Sequence, residues 1–158
     1  MAVNPPMDIG WIPPANGQLK MNCAAKVDKV GVRVGIGVVI RDFKEDVLAC
    51  CSHTFQANYS AKTATLVSIL KGLQFDNDCG FSPDAIEVDN EEVIKLIKNG
   101  LHKDSEFGAI IDDILKLTFT AENRMFRSIH RLANKAAYAL ALYSYNLAID
   151  AFWLVVGE

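Results

Sequence analysis

The sequence lacks an excess of positive charge. Its 16 lysines and arginines are outnumbered by 19 aspartates and glutamates, which gives a formal net charge of −3. Proteins that bind nucleic acid through charge alone are strongly basic. The charge balance excludes that class, so any contact with nucleic acid must come from a local patch.

The sequence also lacks the cysteine spacings of a metal site. Its four cysteines form neither a CxxC pair nor a cysteine–histidine cluster. Adjacent Cys50 and Cys51 point to opposite faces of a predicted strand, which disfavours a disulfide between them. We expect reduced thiols in an intracellular protein, with nucleus and cytoplasm both open.

Targeting and membrane segments are missing as well. The first residues carry neither the basic nor the apolar segment of a secretory signal, so we expect none. The one long apolar run, 136–156, is interrupted by Ser144, Asn146 and Asp150. Such a run predicts a core helix rather than a membrane span, so we expect no membrane partner.

What is present indicates one folded domain. The chain has 158 residues, of which 51% are hydrophobic and 22% charged, enough to bury a core. Residues 1–18 hold all but one of the five prolines and predict an extended N-terminal arm, with Trp11 packed on the body. The domain itself is assigned to residues 19–158.

Apolar periodicity predicts five strands and four helices. The predicted order β-β-β-α-β-α-α-β-α is typical of a mixed α/β sheet with helices on its faces and strand one central. The strands are placed at 19–25, 32–41, 47–55, 85–88 and 125–129, and the helices at 60–77, 90–98, 107–117 and 132–149. Ser60 is the predicted cap of the first helix, and Asp89 or Asn90 that of the second.

Two further features are interpreted structurally. Gly35-x-Gly37 is taken as a feature of strand two, because no phosphate-binding glycine pattern follows it. The last helix has no charge between residues 136 and 149, so it is either deeply buried or covers a partner. Tyr143 and Tyr145 would suit such an interface.

Three phrases carry a family resemblance by their order and spacing. They are W-x-P-P-x-x-G-x-x-K-x-N from Trp11, G-x-G-x-V-x-R-D from Gly35 and R-x-A-N-x-x-A from Arg131. Together they resemble the plant ribonuclease-H-like domains of reverse-transcriptase-derived proteins. The resemblance implies a ribonuclease-H-like fold, with a five-stranded mixed sheet in the order 3-2-1-4-5 and helices on both faces.

The resemblance also implies a reaction. The family cleaves the RNA strand of an RNA–DNA hybrid with two Mg²⁺ or Mn²⁺ ions held by four carboxylates. Carried over onto this sequence, the four positions are Ala24, Thr65, Asp89 and Tyr138. Asp89 is the sole retained acid, so no metal or other cofactor is expected. A histidine common in the family is replaced by Ser128.

Other roles stay open for several polar residues. Glu87 shares strand parity with Asp89 and is a candidate second acid, whereas Asp28 falls in a predicted turn. The alternative interpretation of Asp89 is a helix cap without other function. The candidates for nucleic-acid contact are Asn22, Arg131 and Asn134, the last two of which could instead tie the loop before the last helix to the body.

Three functions are consistent with these residues. The first is a catalytically inactive nucleic-acid-binding domain, with weakly bound RNA–DNA hybrid or RNA as partner. The second is an active metal-dependent hybrid ribonuclease with relocated ligands. The third is a protein-interaction module that uses the uncharged last helix.

Overall fold

The computed structural model describes residues 10–28, 32–99, 107–118 and 124–155. Within them the chain forms a mixed α/β domain. The strands are β1 Lys20–Val27, β2 Arg33–Arg41, β3 Val47–Gln56, β4 Ala85–Val88, β5 Met125–Ser128 and β6 Ala151–Leu154. The helices are α1 Ala61–Cys79, α2 Glu91–Asn99, α3 Gly108–Thr118 and α4 Lys135–Leu147, the last preceded by a 3₁₀ turn, Arg131–Asn134.

One sheet contains all six strands, in the order β5-β4-β1-β2-β3-β6. β1 pairs in parallel with β4 and antiparallel with β2, and β5 is parallel to β4. The predicted order 3-2-1-4-5 is confirmed. The sixth strand, β6, was not predicted; it pairs with β3 at the sheet edge. The residues of β6 are apolar, like those of α4 before them, and the predicted helix therefore ran on to Ile149. In the structure the helix ends at Leu147.

The helix termini follow from local chemistry. The Ser60 hydroxyl accepts a hydrogen bond from the Thr63 amide and caps α1, as predicted. Gly80, with φ +78°, ends that helix in the left-handed conformation that glycine adopts without strain. Asn90 rather than Asp89 caps α2, since its side-chain oxygen accepts from the Val93 amide at 3.0 Å.

The main core lies between one face of the sheet and helices α1 to α3. At its centre, Gly72 of α1 lies against the Met21 and Cys23 side chains of β1. The four cysteines are free, and burial raises the pKa of the Cys51 thiol to about 12. None of the described helices is long and apolar enough to cross a bilayer.

Of the described helices, α4 alone lies on the other face of the sheet. Ala137, Ala141 and Ser144 form its buried side, whereas Tyr143 and Leu147 are exposed. The helix is therefore half-buried, not deeply buried. Gly35 and Gly37 of β2 face its backbone directly. The Gly35-x-Gly37 pair, predicted as a feature of strand two, is thus the surface on which α4 packs.

Candidate functional site

Three of the four carried-over positions lie together at the end of β1. Asn22 of β1 pairs with Glu87 of β4, and this parallel register brings Ala24 beside Asp89. Ala24 packs with Val39 and Ala137 in a small apolar cluster against which Tyr138 also rests. The fourth position, Thr65, belongs to α1 on the opposite face of the sheet.

Two of these side chains already have partners within the domain. The Thr65 hydroxyl donates to the Ala61 carbonyl at 2.8 Å, so its hydrogen is engaged by its own helix. The Tyr138 ring lies under the Arg131 guanidinium, with 4.6 Å from Cζ to the ring centroid, which is cation–π geometry. Neither group supplies an anionic oxygen to a metal ion.

Asp89, unlike Thr65 and Tyr138, has a side chain without a partner among the described residues. It is exposed immediately after β4, and no other described residue forms a hydrogen bond or ion pair with it. The Ile129 amide donates to the Val88 carbonyl at 2.9 Å, which holds the segment after β5 next to this carboxylate. Asp89 is thus free to meet a ligand, and capping does not account for it.

The acids considered as substitutes are engaged elsewhere. Glu87 is buried, with one carboxylate oxygen 3.1 Å from Lys20 Nζ and the other accepting from Asn22 at 3.2 Å. The Asp28 carboxylate accepts a hydrogen bond from the Tyr145 phenol, which raises the pKa of Tyr145. In the described part of the chain, no three histidine, cysteine or acidic side chains are grouped to hold a metal. The donors present do not fit a two-metal centre.

Asn22 instead organises a buried polar network. Its amide oxygen accepts from the Trp11 indole at 2.9 Å and from Arg41 at 3.3 Å. Its amide nitrogen donates to Glu87 and, at 3.1 Å, to Asn134. All four hydrogen-bonding positions of the Asn22 side chain are therefore used.

Asn134 completes this network, since its amide donates to the Cys23 carbonyl at 2.8 Å. Asn22 and Asn134 are 0% and 1% exposed, so the structure assigns both to internal packing rather than to the surface. Asn134 ties the turn before α4 to the central strand, one of the two roles considered. Surface contact remains a prediction for Arg131, which is exposed.

A cationic segment went unnoticed in the sequence. Arg127, His130, Arg131 and Lys135 are all exposed along the end of β5, the 3₁₀ turn and the start of α4. The available signal was four basic or imidazole side chains within nine residues, starting at Arg127. Their segment adjoins Asp89 through the contact between Ile129 and Val88.

Comparisons with known proteins bear on the whole domain. A model of the reverse transcriptase-like family matches residues 22–144. No curated protein matches the sequence significantly. RNase H1 from the halophilic archaeon Halobacterium salinarum NRC-1 superposes with a TM-score of 0.71 at 18% identity, covering 84% of this chain and 100% of that one.

Two further structures have bound nucleic acid. LC11-RNase H1, isolated from compost and solved in complex with an RNA/DNA hybrid, gives a TM-score of 0.72 at 19% identity over 83% of this chain and 99% of that one. The foamy viral protease–reverse transcriptase in complex with dsDNA gives 0.63 at 15% identity over 92% and 99%. At identities this low, the structural likeness shows a shared fold alone. With the family model spanning most of the domain, the chain belongs to the reverse transcriptase-like family of RNase H-like domains.

Proposed function

We propose that this chain is a nucleic-acid-binding RNase H-like domain that does not cleave its ligand. The observation that carries the proposal is what occupies the other three family positions: a buried methyl group at Ala24, a hydroxyl bonded to its own helix at Thr65 and a ring stacked under an arginine at Tyr138. Two divalent cations about 4 Å apart repel each other and need several carboxylates to offset that repulsion. One exposed aspartate does not supply them.

Binding is supported by the charge next to that position. Arg131 lies over Tyr138, the position at which the family carries its fourth acid. A positively charged guanidinium therefore lies where the family has a negatively charged carboxylate. An arginine held in this way presents its planar donors to phosphate oxygens. Exposed Lys135 extends the positive charge into α4. Two of the fold neighbours were solved with an RNA/DNA hybrid or dsDNA, ligands of the same backbone chemistry.

A binding experiment tests the cationic segment. With Arg131→Gln and Lys135→Gln combined, we expect the affinity for a fluorescent RNA–DNA hybrid to fall. The slope of log affinity against log salt should become shallower by about 2, roughly 0.9 per lost phosphate contact. Fluorescence anisotropy over a salt series measures both quantities. The matched control removes two exposed lysines of α2, Lys95 and Lys98, and should leave them unchanged. Equal effects in the two double variants would contradict the assignment.

The same hybrid tests inactivity. In millimolar Mg²⁺ or Mn²⁺ we expect no product above the background of a protein-free incubation. Cleavage that disappears in Asp89→Asn would overturn the proposal and favour an active nuclease with relocated ligands.

Self-association is a second candidate function, and one observation favours it. The side chains of β6 and the neighbouring end of α4 are apolar and exposed, with Phe152 at 60% and Leu154 at 56%. The strand Ala151–Leu154 carries none of the charged residues that usually protect a sheet edge from pairing. Two copies could therefore pair antiparallel along β6 without like-charge repulsion.

A charge placed on that strand should prevent the pairing. We expect the molar mass from light scattering to rise towards a dimer with concentration in the wild type, and to stay monomeric in Leu154→Lys. Lys135→Gln, at the far end of α4, should behave as the wild type. A monomer at every concentration in the wild type would rule out this function.

A further inference from the structure

A cleft of about 280 Å³ lies between the N-terminal arm and the β4–β5 side of the sheet. Trp11 and Ile12 contribute to its wall from the arm, and Lys20, Glu87, Arg127 and His130 line it from the body. None of the four carried-over metal positions lines it. The cleft lies beside the region around Asp89 and is lined by Ile129 and His130 of the adjoining segment, but its donors are not those of the metal positions.

Lys20 places a buried cation in this cleft. Its side chain is 6% exposed, and its ammonium donates to the Ile12 carbonyl at 2.8 Å and to Glu87 at 3.1 Å. An ammonium has three N–H donors, so one remains after these two bonds. The Glu87 oxygens are already engaged by Lys20 and Asn22, so the carboxylate is neutralised. The interior of the cleft thus offers a donor without an excess of negative charge.

Two more donors stand at the cleft mouth. His130 accepts the Leu132 amide on Nδ1 at 3.1 Å, so its neutral imidazole carries the proton on Nε2. Arg127 is exposed, and one of its guanidinium nitrogens makes a weak contact with the Met125 sulfur at 3.3 Å. Most of its five N–H donors have no such partner among the described residues. Lys20, His130 and Arg127 thus all present N–H donors to the cleft, and such donors bind oxyanions.

We propose that this cleft binds the terminal phosphate of a small phosphate monoester, with Arg127, His130 and Lys20 as its donors. A volume of about 280 Å³ is at the lower end of ligand pockets, which suits a single nucleotide unit rather than a larger ligand. The Arg41 guanidinium lies over the Trp11 ring, 3.8 Å from its centroid, and the part of the ring that forms the cleft wall suits a planar base. A free nucleoside 5′-monophosphate and the 5′-phosphate end of a strand present the same chemistry.

NMR titration tests the proposal with an internal reference. The chain has two tryptophans, Trp11 in the cleft wall and Trp153 on the edge strand β6. With adenosine 5′-monophosphate or inorganic phosphate we expect the indole N–H signal of Trp11 to shift and that of Trp153 to stay. Adenosine without the phosphate should cause no shift. A 5′-phosphorylated dinucleotide that binds more tightly than the mononucleotide would identify a strand end as the ligand, and equal or weaker binding a free nucleotide.

Variants identify the donors. Arg127→Gln should weaken the affinity for adenosine 5′-monophosphate tenfold or more. His130→Asn should weaken it severalfold, because asparagine keeps a capping oxygen for the turn but loses the Nε2 donor. Lys98→Gln removes one positive charge from α2 and should have no effect. An unmoved Trp11 signal at 10 mM phosphate, or equal affinities in Arg127→Gln and Lys98→Gln, would overturn the proposal. Neither result bears on hybrid binding through Arg131 and Lys135.

Discussion

The Gly37→Ala variant is expected to lose about 3 kcal/mol or more of its free energy of unfolding. An added Cβ at this position would lie 2.0 Å from the Ala137 carbonyl oxygen and 2.6 Å from the Ala141 amide nitrogen. Both atoms belong to the backbone of α4, so no side-chain rotation relieves the contact. Overpacking of a core costs about 1–3 kcal/mol where side chains can adjust. Here the whole helix must move away from the sheet.

Displacing α4 has consequences beyond the contact itself. The Ser144 hydroxyl donates to the His53 carbonyl at 2.7 Å, and Asn134 holds the start of the helix on Cys23. A rigid shift outwards stretches these bonds and opens the apolar cluster around Ala24. We therefore place the Gly37→Ala variant at or above the upper end of the overpacking range.

Urea denaturation of the wild type and variant measures the loss. Gly10→Ala is the matched control, because a Cβ there meets nothing within 4 Å, and it should change stability by no more than about 0.5 kcal/mol. For a chain of this size, a loss of about 3 kcal/mol lowers the melting temperature by roughly 6–12 °C. A loss below 1 kcal/mol in Gly37→Ala would show that α4 does not lie this close to β2.

The sequence was sufficient for the parts of the fold that depend on local patterns. Apolar periodicity located strands β1 to β5, and cap chemistry located Ser60 at the start of α1. Each of these inferences uses residues a few positions apart, where the backbone alone fixes the geometry.

The parts that failed depend on distant partners. Asn22 bonds Glu87 across 65 residues and Asn134 across 112, and strand parity does not reveal such pairs. The role of Gly35 and Gly37 is set by the approach of α4, a helix about a hundred residues away in the chain. β6 was not predicted, because an apolar run of four residues carries no period of its own.

The candidate site likewise has features that the sequence predicts and features that depend on distant partners. The family phrases gave the positions of Ala24, Asp89 and Tyr138, which the register of β1 and β4 and the packing of α4 bring together. What occupies the space between them could not be read from the sequence. The stacking of Arg131 on Tyr138 depends on the 3₁₀ turn Arg131–Asn134, whereas the predicted helix already began at residue 132.

The triple variant Ala24→Asp, Thr65→Glu, Tyr138→Asp is expected to gain metal binding. Together with Asp89, the variant has a carboxylate at each of the four family positions. Ala24 is 2% exposed, so a charged aspartate there is destabilising until a cation compensates it. The metal-free triple variant should accordingly be less stable than the wild type. Manganese that binds only the folded state then restores stability, by about 2.7 kcal/mol at a hundredfold excess over its dissociation constant.

Thermal melting with and without millimolar Mn²⁺ measures this gain, and a hybrid-cleavage assay measures its consequence. The control carries the amides, Ala24→Asn, Thr65→Gln, Tyr138→Asn, which have the same shape and no charge. We expect the acid variant alone to melt at a higher temperature with Mn²⁺, and to cleave the hybrid at least a hundredfold faster than the amide control. Adding Asp89→Asn to the acid variant should remove both effects. Identical melting shifts and rates in the acid and amide variants would show that these positions do not converge as the family pattern implies.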